Sequence, residues 1–189
     1  MKSLPESKLG LDRTLKNDTK MIERGEGGNL FTVDFMKKIA HEKASHPLVR
    51  QLAINILNDA GTKSHNHLDE AIAIGEWVKR NIRYMKDPHG HELLQDPLLM
   101  IEKCDKGECR GDCDDMSLLT ATLLLAVGIK PFFKIVRWKA DKGNYNHIYV
   151  VVKEGNYKQP RKLFVLDCII KDMPIGAELP HKSFNLIEV

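Results

Sequence analysis

The apolar residues of this chain change their spacing at Gly128. Before it they recur every three or four positions, as in "SLLTATLLLAV", the most apolar helical segment of the sequence. After it, "PFFKIVRWKA", "NHIYVVVKEG" and "KLFVLDCII" are rich in β-branched and aromatic residues and are separated by turn-like segments. Helices followed by strands predict an α+β fold, in which the last helix packs on one face of an antiparallel sheet of three or more strands.

Capping signals divide the part before Gly128 into helices. Proline suits the first turn of a helix, and Asp or Asn suits the position just before it. The predicted helices run from Thr32 or Asp34 to His41, from Pro47 to Gly61, from about Asn66 to Arg83, from Pro97 after an Asp96 cap, and from Cys113 to Gly128. Residues 1–30 are polar and broken by glycine, so we expect an extended or flexible arm there and a single domain over residues 31–189.

Charge and cysteine content limit the classes of partner. The chain has 29 Lys and Arg against 26 Asp and Glu, interleaved along the sequence, so neither nucleic acid nor a membrane is expected as a partner. No apolar run approaches the roughly 20 residues of a membrane span, and the first residues lack a secretory apolar region. We therefore expect a cytoplasmic protein whose cysteines are reduced, with a facultative disulfide between the loop thiols Cys104 and Cys109 as an open alternative.

Cys113 stands at the start of the most apolar helix, in "RGDCDDMSLL". The first turn of a helix offers unpaired N–H groups and the positive end of the helix dipole, which favour a thiolate and could also bind an oxyanion. Asp112, Asp114 and Asp115 oppose this effect, because nearby carboxylates raise the pKa of a thiol. We interpret them as capping and first-turn residues, with Asp112 as the cap, and expect an activated thiol at Cys113.

A thiolate nucleophile needs a base, and the strands supply a candidate pair. His147 opens the second predicted strand, and Asp167 lies in the middle of the third, where a carboxylate in an apolar run requires a partner. An imidazole N–H on the adjacent strand would provide one. Strand alternation places Cys168 on the opposite face from Asp167, so Cys168 is expected to be a packing residue.

The order of Cys113, His147 and Asp167 resembles the transglutaminase-like superfamily of papain-related cysteine enzymes. The matching segments are "GDCDDMSLLTATLLLAVGIK", "NHIYVVV" and "FVLDCII", together with "AIAIGEWVKRNIRYMKDPHG" upstream, as in compact bacterial and phage or prophage members. The resemblance covers about residues 66–170 and implies a papain-like core. It implies that Cys113 is the nucleophile, His147 the general base and acid, and Asp167 the residue that orients His147.

The chain departs from the family pattern at two places. Ile148 and Tyr149 follow the histidine, where many members have a small residue and an aromatic one, and "DCII" replaces the usual "DPT" after the aspartate. Neither departure removes a catalytic atom, but both bear on substrate preference. For the second oxyanion donor we favour Gln95, in the loop between Tyr84 and Pro97.

The function expected from these residues is acyl transfer at an amide or peptide carbonyl, through a thioester on Cys113, with hydrolysis favoured over crosslinking. The expected substrate is a protein or peptide, and no cofactor is expected. Two alternatives stay open. One is a catalytically silent structural or phage-assembly module, which would be virion-associated. The other is zinc binding by members of a Cys and His set, namely Cys104, Cys109, Cys113, His89 and His91.

Overall fold

The computed structural model describes residues 26–63, 65–87, 93–138, 145–154 and 162–189, so most of the predicted N-terminal arm lies outside the described residues. The helices are α1 Glu26–Ala44, α2 Pro47–Ala60, α3 His67–Asn81, α4 Pro97–Asp105 and α5 Cys113–Ala126. The strands are β1 Arg83–Tyr84, β2 Arg110–Gly111, β3 Pro131–Trp138, β4 His147–Glu154, β5 Lys162–Leu166 and β6 His181–Glu188. The α+β class is confirmed.

Helix α5 is the central element of the fold. Every residue from Asp115 to Leu124 is buried, because α5 packs against α1, α2 and α3 and against strands β3 and β4. Its N-terminus is closed by a capping box, in which Asp112 accepts the N–H groups of Asp114 and Asp115 while Asp115 accepts the Asp112 N–H. At its other end Gly128 has a φ of 81°, which suits glycine. The predicted cap at Asp112 is confirmed.

The capping signals of α2, α3 and α4 are also confirmed. Pro47 and Pro97 stand in the first turns of α2 and α4, Asp96 caps α4, and Asn66 caps α3. The predicted start of the first helix is wrong, because α1 begins at Glu26 and not at Thr32 or Asp34. Val33, Met36 and Ala40 are buried on α1, and this packing outweighs the low helix propensity of the preceding glycines.

Strands β3 to β6 form one antiparallel sheet in the order β5-β4-β3-β6. The meander of β3, β4 and β5 is the predicted one, and β6 returns to lie beside β3. On the face toward α5, Phe133, Ile148 and Val150 join the main core, and Cys168 packs there as predicted. The opposite face carries a second cluster of five buried residues, Phe132, Val136, Tyr149, Val151 and Val165.

Strand β5 ends earlier than the sequence pattern indicates. Its last pair is Leu166 with Val150, so Asp167 follows the strand and is not in its middle. The first residues of β4 therefore extend past the end of β5. Asp167 and the N-terminus of α5 both contact β4 at this uncovered end, as the hydrogen bonds below show.

Cys104 and Cys109 form a disulfide between the last turn of α4 and the residue before β2, with 4.4 Å between their Cα atoms. The expectation of reduced cysteines is therefore wrong for this pair, and the open alternative of a disulfide is the one that the structure shows. Cys113 and Cys168 are the free thiols. Among the described residues, no helix has the length and apolar character that a membrane crossing needs.

Gly111 packs closely against the start of α5. A Cβ at this position would lie 2.7 Å from the Asp115 Cβ and 2.9 Å from its Oδ2, both on the first turn of the helix. We expect Gly111→Ala to lower the free energy of unfolding by about 1–3 kcal/mol in urea denaturation, because the added carbon displaces the capping box. Gly75→Ala is the control, since its Cβ would first meet a flexible side-chain end, Leu166 Cδ2, at 3.2 Å. Equal stability of the two variants would contradict this account.

Candidate active site

His147 and Asp167 form a buried pair at the open end of the sheet. His147 Nε2 lies 2.8 Å from Asp167 Oδ2, and both side chains are almost fully buried. The other carboxylate oxygen of Asp167 accepts the Ile169 N–H at 3.3 Å, so the carboxylate is held at both ends. A carboxylate accepts from the ring nitrogen that carries hydrogen, which leaves Nδ1 of His147 as the nitrogen that could take up a proton.

Two aromatic rings contact the His147 imidazole. The Trp138 ring centroid lies 4.9 Å from it at an interplanar angle of 44°, and the Tyr149 centroid lies 5.3 Å away at 37°. The sequence analysis did not predict these two contacts. The signal was present in the two-residue spacing, because Tyr149 shares a face of β4 with His147.

Cys113 lies against the strand residue that follows His147. The backbone N–H of Ile148 donates toward the Cys113 sulfur, and Ser117, one turn further along α5, donates its hydroxyl to the Ile148 carbonyl at 3.1 Å. Both backbone groups of Ile148 thus bind the first two turns of α5. Cys113 is half-buried, and its thiol donates to Asp114 Oδ1 at 3.3 Å.

The environment of Cys113 favours the thiol and not the thiolate. Burial raises the pKa of Cys113 well above its ordinary value, and the charges of Asp114 and Asp112 raise it further, while the Ile148 N–H lowers it. The expectation of a thiol activated by the helix dipole is therefore wrong for this arrangement. Desolvation and two adjacent carboxylates outweigh the single N–H donor.

The carboxyl groups around Cys113 also have raised pKa values. Burial, followed by the charges of Asp115 and Asp87, raises the pKa of Asp112 to about 7. Burial also raises the pKa of Asp115. Tyr84 pairs with Gly111 across β1 and β2. Its pKa is raised first by burial and then by the charges of Cys113 and Asp112. The half-exposed Tyr84 side chain therefore borders the same site.

Gln95 is not available as an oxyanion donor. Its two amide hydrogens are bound by Asp115 Oδ2 at 2.6 Å and by the Arg110 carbonyl at 2.8 Å, and its carbonyl accepts from Lys103. The preference for Gln95 as second oxyanion donor is therefore wrong. Gln95 instead fixes Asp115, since its backbone N–H also donates to that carboxylate at 2.7 Å.

The described groups that could hold a metal ion differ from the predicted zinc set. Cys104 and Cys109 are joined to each other, so neither offers a thiolate, while His89 and His91 lie outside the described residues. Ligand atoms of Asp112, Cys113 and Asp114 lie within 4.8 Å of one another. Two carboxylates and a thiol could bind a cation, although such acidic groups are common without one.

Comparison with known proteins identifies the family. The family described as transglutaminase-like domain matches residues 49–181, and the chain belongs to it. No curated protein matches the chain significantly.

The solved structures that the chain matches are distant in sequence. A candidate cysteine protease from Cytophaga hutchinsonii is 16% identical, with a TM-score of 0.45 over 74% of this chain and 41% of that one. A candidate protease from Parabacteroides distasonis is 15% identical, with a TM-score of 0.45 over 79% of this chain and 31% of that one. Calcium-bound LapG from Legionella pneumophila is 15% identical, with a TM-score of 0.46 over 82% of this chain and 87% of that one. The chain thus spans less than half of the first two proteins.

Proposed function

We propose that the chain is a cysteine-dependent enzyme that transfers the acyl group of an amide or peptide to Cys113, with water as the usual acceptor. The observation that carries the proposal is the buried His147–Asp167 pair, one residue away from the Ile148 N–H that contacts the Cys113 sulfur. A nucleophile at a helix start, a base on a strand and a carboxylate that orients the base form the arrangement used for acyl transfer.

In the proposed reaction the Cys113 thiol passes its proton to Nδ1 of His147 as the sulfur attacks the carbonyl carbon. Asp167 holds the Nε2–H and stabilises the imidazolium that forms. Three of the first N–H groups of α5 already have acceptors on Asp112. The N–H groups of Asp114 and Asp115 donate to its carboxylate, and the N–H of Met116 donates to its backbone carbonyl. We assign the Cys113 N–H to the oxyanion.

The tetrahedral intermediate collapses when the carbon–nitrogen bond breaks and the imidazolium gives its proton to the leaving amine. A thioester then remains on Cys113. Water, deprotonated by His147, attacks the thioester, releases the carboxylic acid and returns the proton to the sulfur. A primary amine in place of water would give a crosslink, and we favour water because it is always present.

The raised pKa of Cys113 bears on the order of proton transfer and attack in the proposed reaction. Because burial and two carboxylates favour the neutral thiol, proton transfer to His147 would accompany the attack and would not precede it. The same observation favours the alternative, a catalytically silent module of this fold. One experiment distinguishes the two.

The experiment follows acetyl transfer from p-nitrophenyl acetate, with the Cys113 peptide read by mass spectrometry. We expect one acetyl group on Cys113, none in Cys113→Ser under the same conditions, and acylation at least about a hundredfold slower in His147→Ala, because the base is lost. His41→Ala, on the exposed face of α1, is the matched control and should acylate at the wild-type rate. No acetyl group on wild-type Cys113, or equal rates in the two histidine variants, would support the silent module.

A further inference from the structure

The sheet face opposite α5 carries a polar cluster next to His147. Lys134 and Tyr149 are directly paired across β3 and β4, and both are almost fully buried. Glu178, from the segment between β5 and β6, accepts hydrogen bonds from the Lys134 ammonium and from the Tyr149 hydroxyl. Lys134 also lies over the Phe184 ring, 4.4 Å from its centroid. The cluster consists of Lys134, Tyr149 and Glu178.

Tyr149 connects this cluster to the imidazole. Tyr149 and His147 are two residues apart on β4 and share a face, and their ring centroids are 5.3 Å apart. The backbone of Tyr149 is fixed by the sheet and its hydroxyl by Glu178, so the ring is held at both ends. Movement of the ring in the sheet plane would carry it away from the imidazole.

The Lys134 side chain is only 8% exposed, and removing its charge from water is costly unless a partner of opposite charge is present. Glu178, whose side chain is 30% exposed, is that partner at the edge of the cluster. Burial opposes the ionisation of Glu178, but the hydrogen bonds from Lys134 and Tyr149 outweigh it and lower the Glu178 pKa. Because solvent reaches Glu178, the ion pair itself contributes little to stability. Its distinctive effect is to fix the geometry of the groups that it binds.

We propose that Glu178 is a positioning residue for His147: by binding the Tyr149 hydroxyl and Lys134, it holds the Tyr149 ring against the imidazole and keeps Nε2 on Asp167. This inference rests on the proposed function, in which His147 is the general base. Trp138 contacts the same imidazole and completes its aromatic surroundings. Nothing in the sequence signals the role of Glu178, which comes from a segment distant from the motif.

The test measures the tautomer of His147 by ¹⁵N nuclear magnetic resonance in full-length Tyr149→Phe, Glu178→Gln and the double variant. Lys153→Met is the matched control, because Lys153 lies over the Phe132 ring at 4.4 Å near the other end of β4. We expect the wild type and the control to carry hydrogen on Nε2. The three variants should show a mixture of tautomers and acylate Cys113 about tenfold more slowly. The double variant should acylate Cys113 as fast as the single variants, because both substitutions break the same chain of contacts.

Two outcomes would overturn the proposal. In the first, the variants lose thermal stability but keep the wild-type tautomer and acylation rate, which a purely structural role predicts. In the second, the fold-loss in acylation rate of the double variant equals the product of the fold-losses of the two single variants. If wild-type Cys113 forms no acyl-enzyme, the proposed function fails, but the tautomer measurement still decides whether Glu178 positions His147. Tyr149→Phe, which keeps the ring, serves if Glu178→Gln does not fold.

Discussion

Asp167→Asn is expected to slow the acylation of Cys113 by about a thousandfold to ten-thousandfold. The asparagine amide can donate to Nε2 of His147, whereas the carboxylate only accepts, so the variant favours the tautomer with hydrogen on Nδ1. In that tautomer Nδ1 cannot take the proton of the thiol. The imidazolium would also lose the negative charge that lies 2.8 Å from Nε2 in the native pair.

Acylation by p-nitrophenyl acetate, followed on the Cys113 peptide, measures this loss. The matched control is Asp172→Asn, the same substitution at an exposed position a few residues along the chain, which should leave the rate unchanged. Circular dichroism would show that both variants are folded. A rate in Asp167→Asn close to that of the control would mean that the carboxylate has no part in orienting His147.

The second large effect that we expect is an increase in the reactivity of Cys113. Asp114→Asn should increase the rate of iodoacetamide alkylation of Cys113 at pH 7 by about tenfold, because it removes the carboxylate that accepts the thiol hydrogen. Asp114 is also the largest cause of the raised Cys113 pKa after burial. A lower pKa means a larger thiolate fraction at any pH below it, so the alkylation profile should move to lower pH.

Alkylation at Cys113 can be read without interference from the other cysteines. Cys104 and Cys109 are joined in a disulfide, and Cys168 is buried, with a pKa raised to about 12 mainly by that burial. Asp59→Asn, exposed at the end of α2, removes the same charge away from the site and should keep the wild-type profile. A profile for Asp114→Asn that stays in place or moves to higher pH would show that Asp114 does not raise the Cys113 pKa.

The parts of the fold predicted from sequence depend on short-range signals. Asp96 and Pro97 lie next to each other and cap α4 by themselves, and Asp112 caps α5 with a residue three positions away. The alternating pattern likewise identifies β3 and β4 within a residue or two. Such features need no knowledge of the tertiary structure. The start of α1 does, because its glycines argue against a helix and packing decides otherwise.

In the candidate site, too, some features follow from short-range sequence signals and others depend on tertiary packing. The alternating pattern predicts that His147 pairs with Asp167, although it does not show that β5 ends at Leu166 and that Asp167 lies just beyond it. The roles of Gln95 and Glu178 could not be predicted, because each depends on where a loop places one side chain. The Cys113 pKa is raised first by burial and then by the charges of Asp114 and Asp112, and the extent of burial cannot be read from a sequence alone.

The position of α5 between the helical layer and the sheet has a consequence for how the molecule can move. A segment that packs on both layers opens only when most of the core opens with it, so we expect slow amide exchange in the buried part of α5, from Asp115 to Leu124. Any adjustment to a bound peptide must then come from the rim. The side chains of Tyr84 and Met85 are about half exposed beside the capping box, so we expect them to adjust while their backbone stays paired with Gly111.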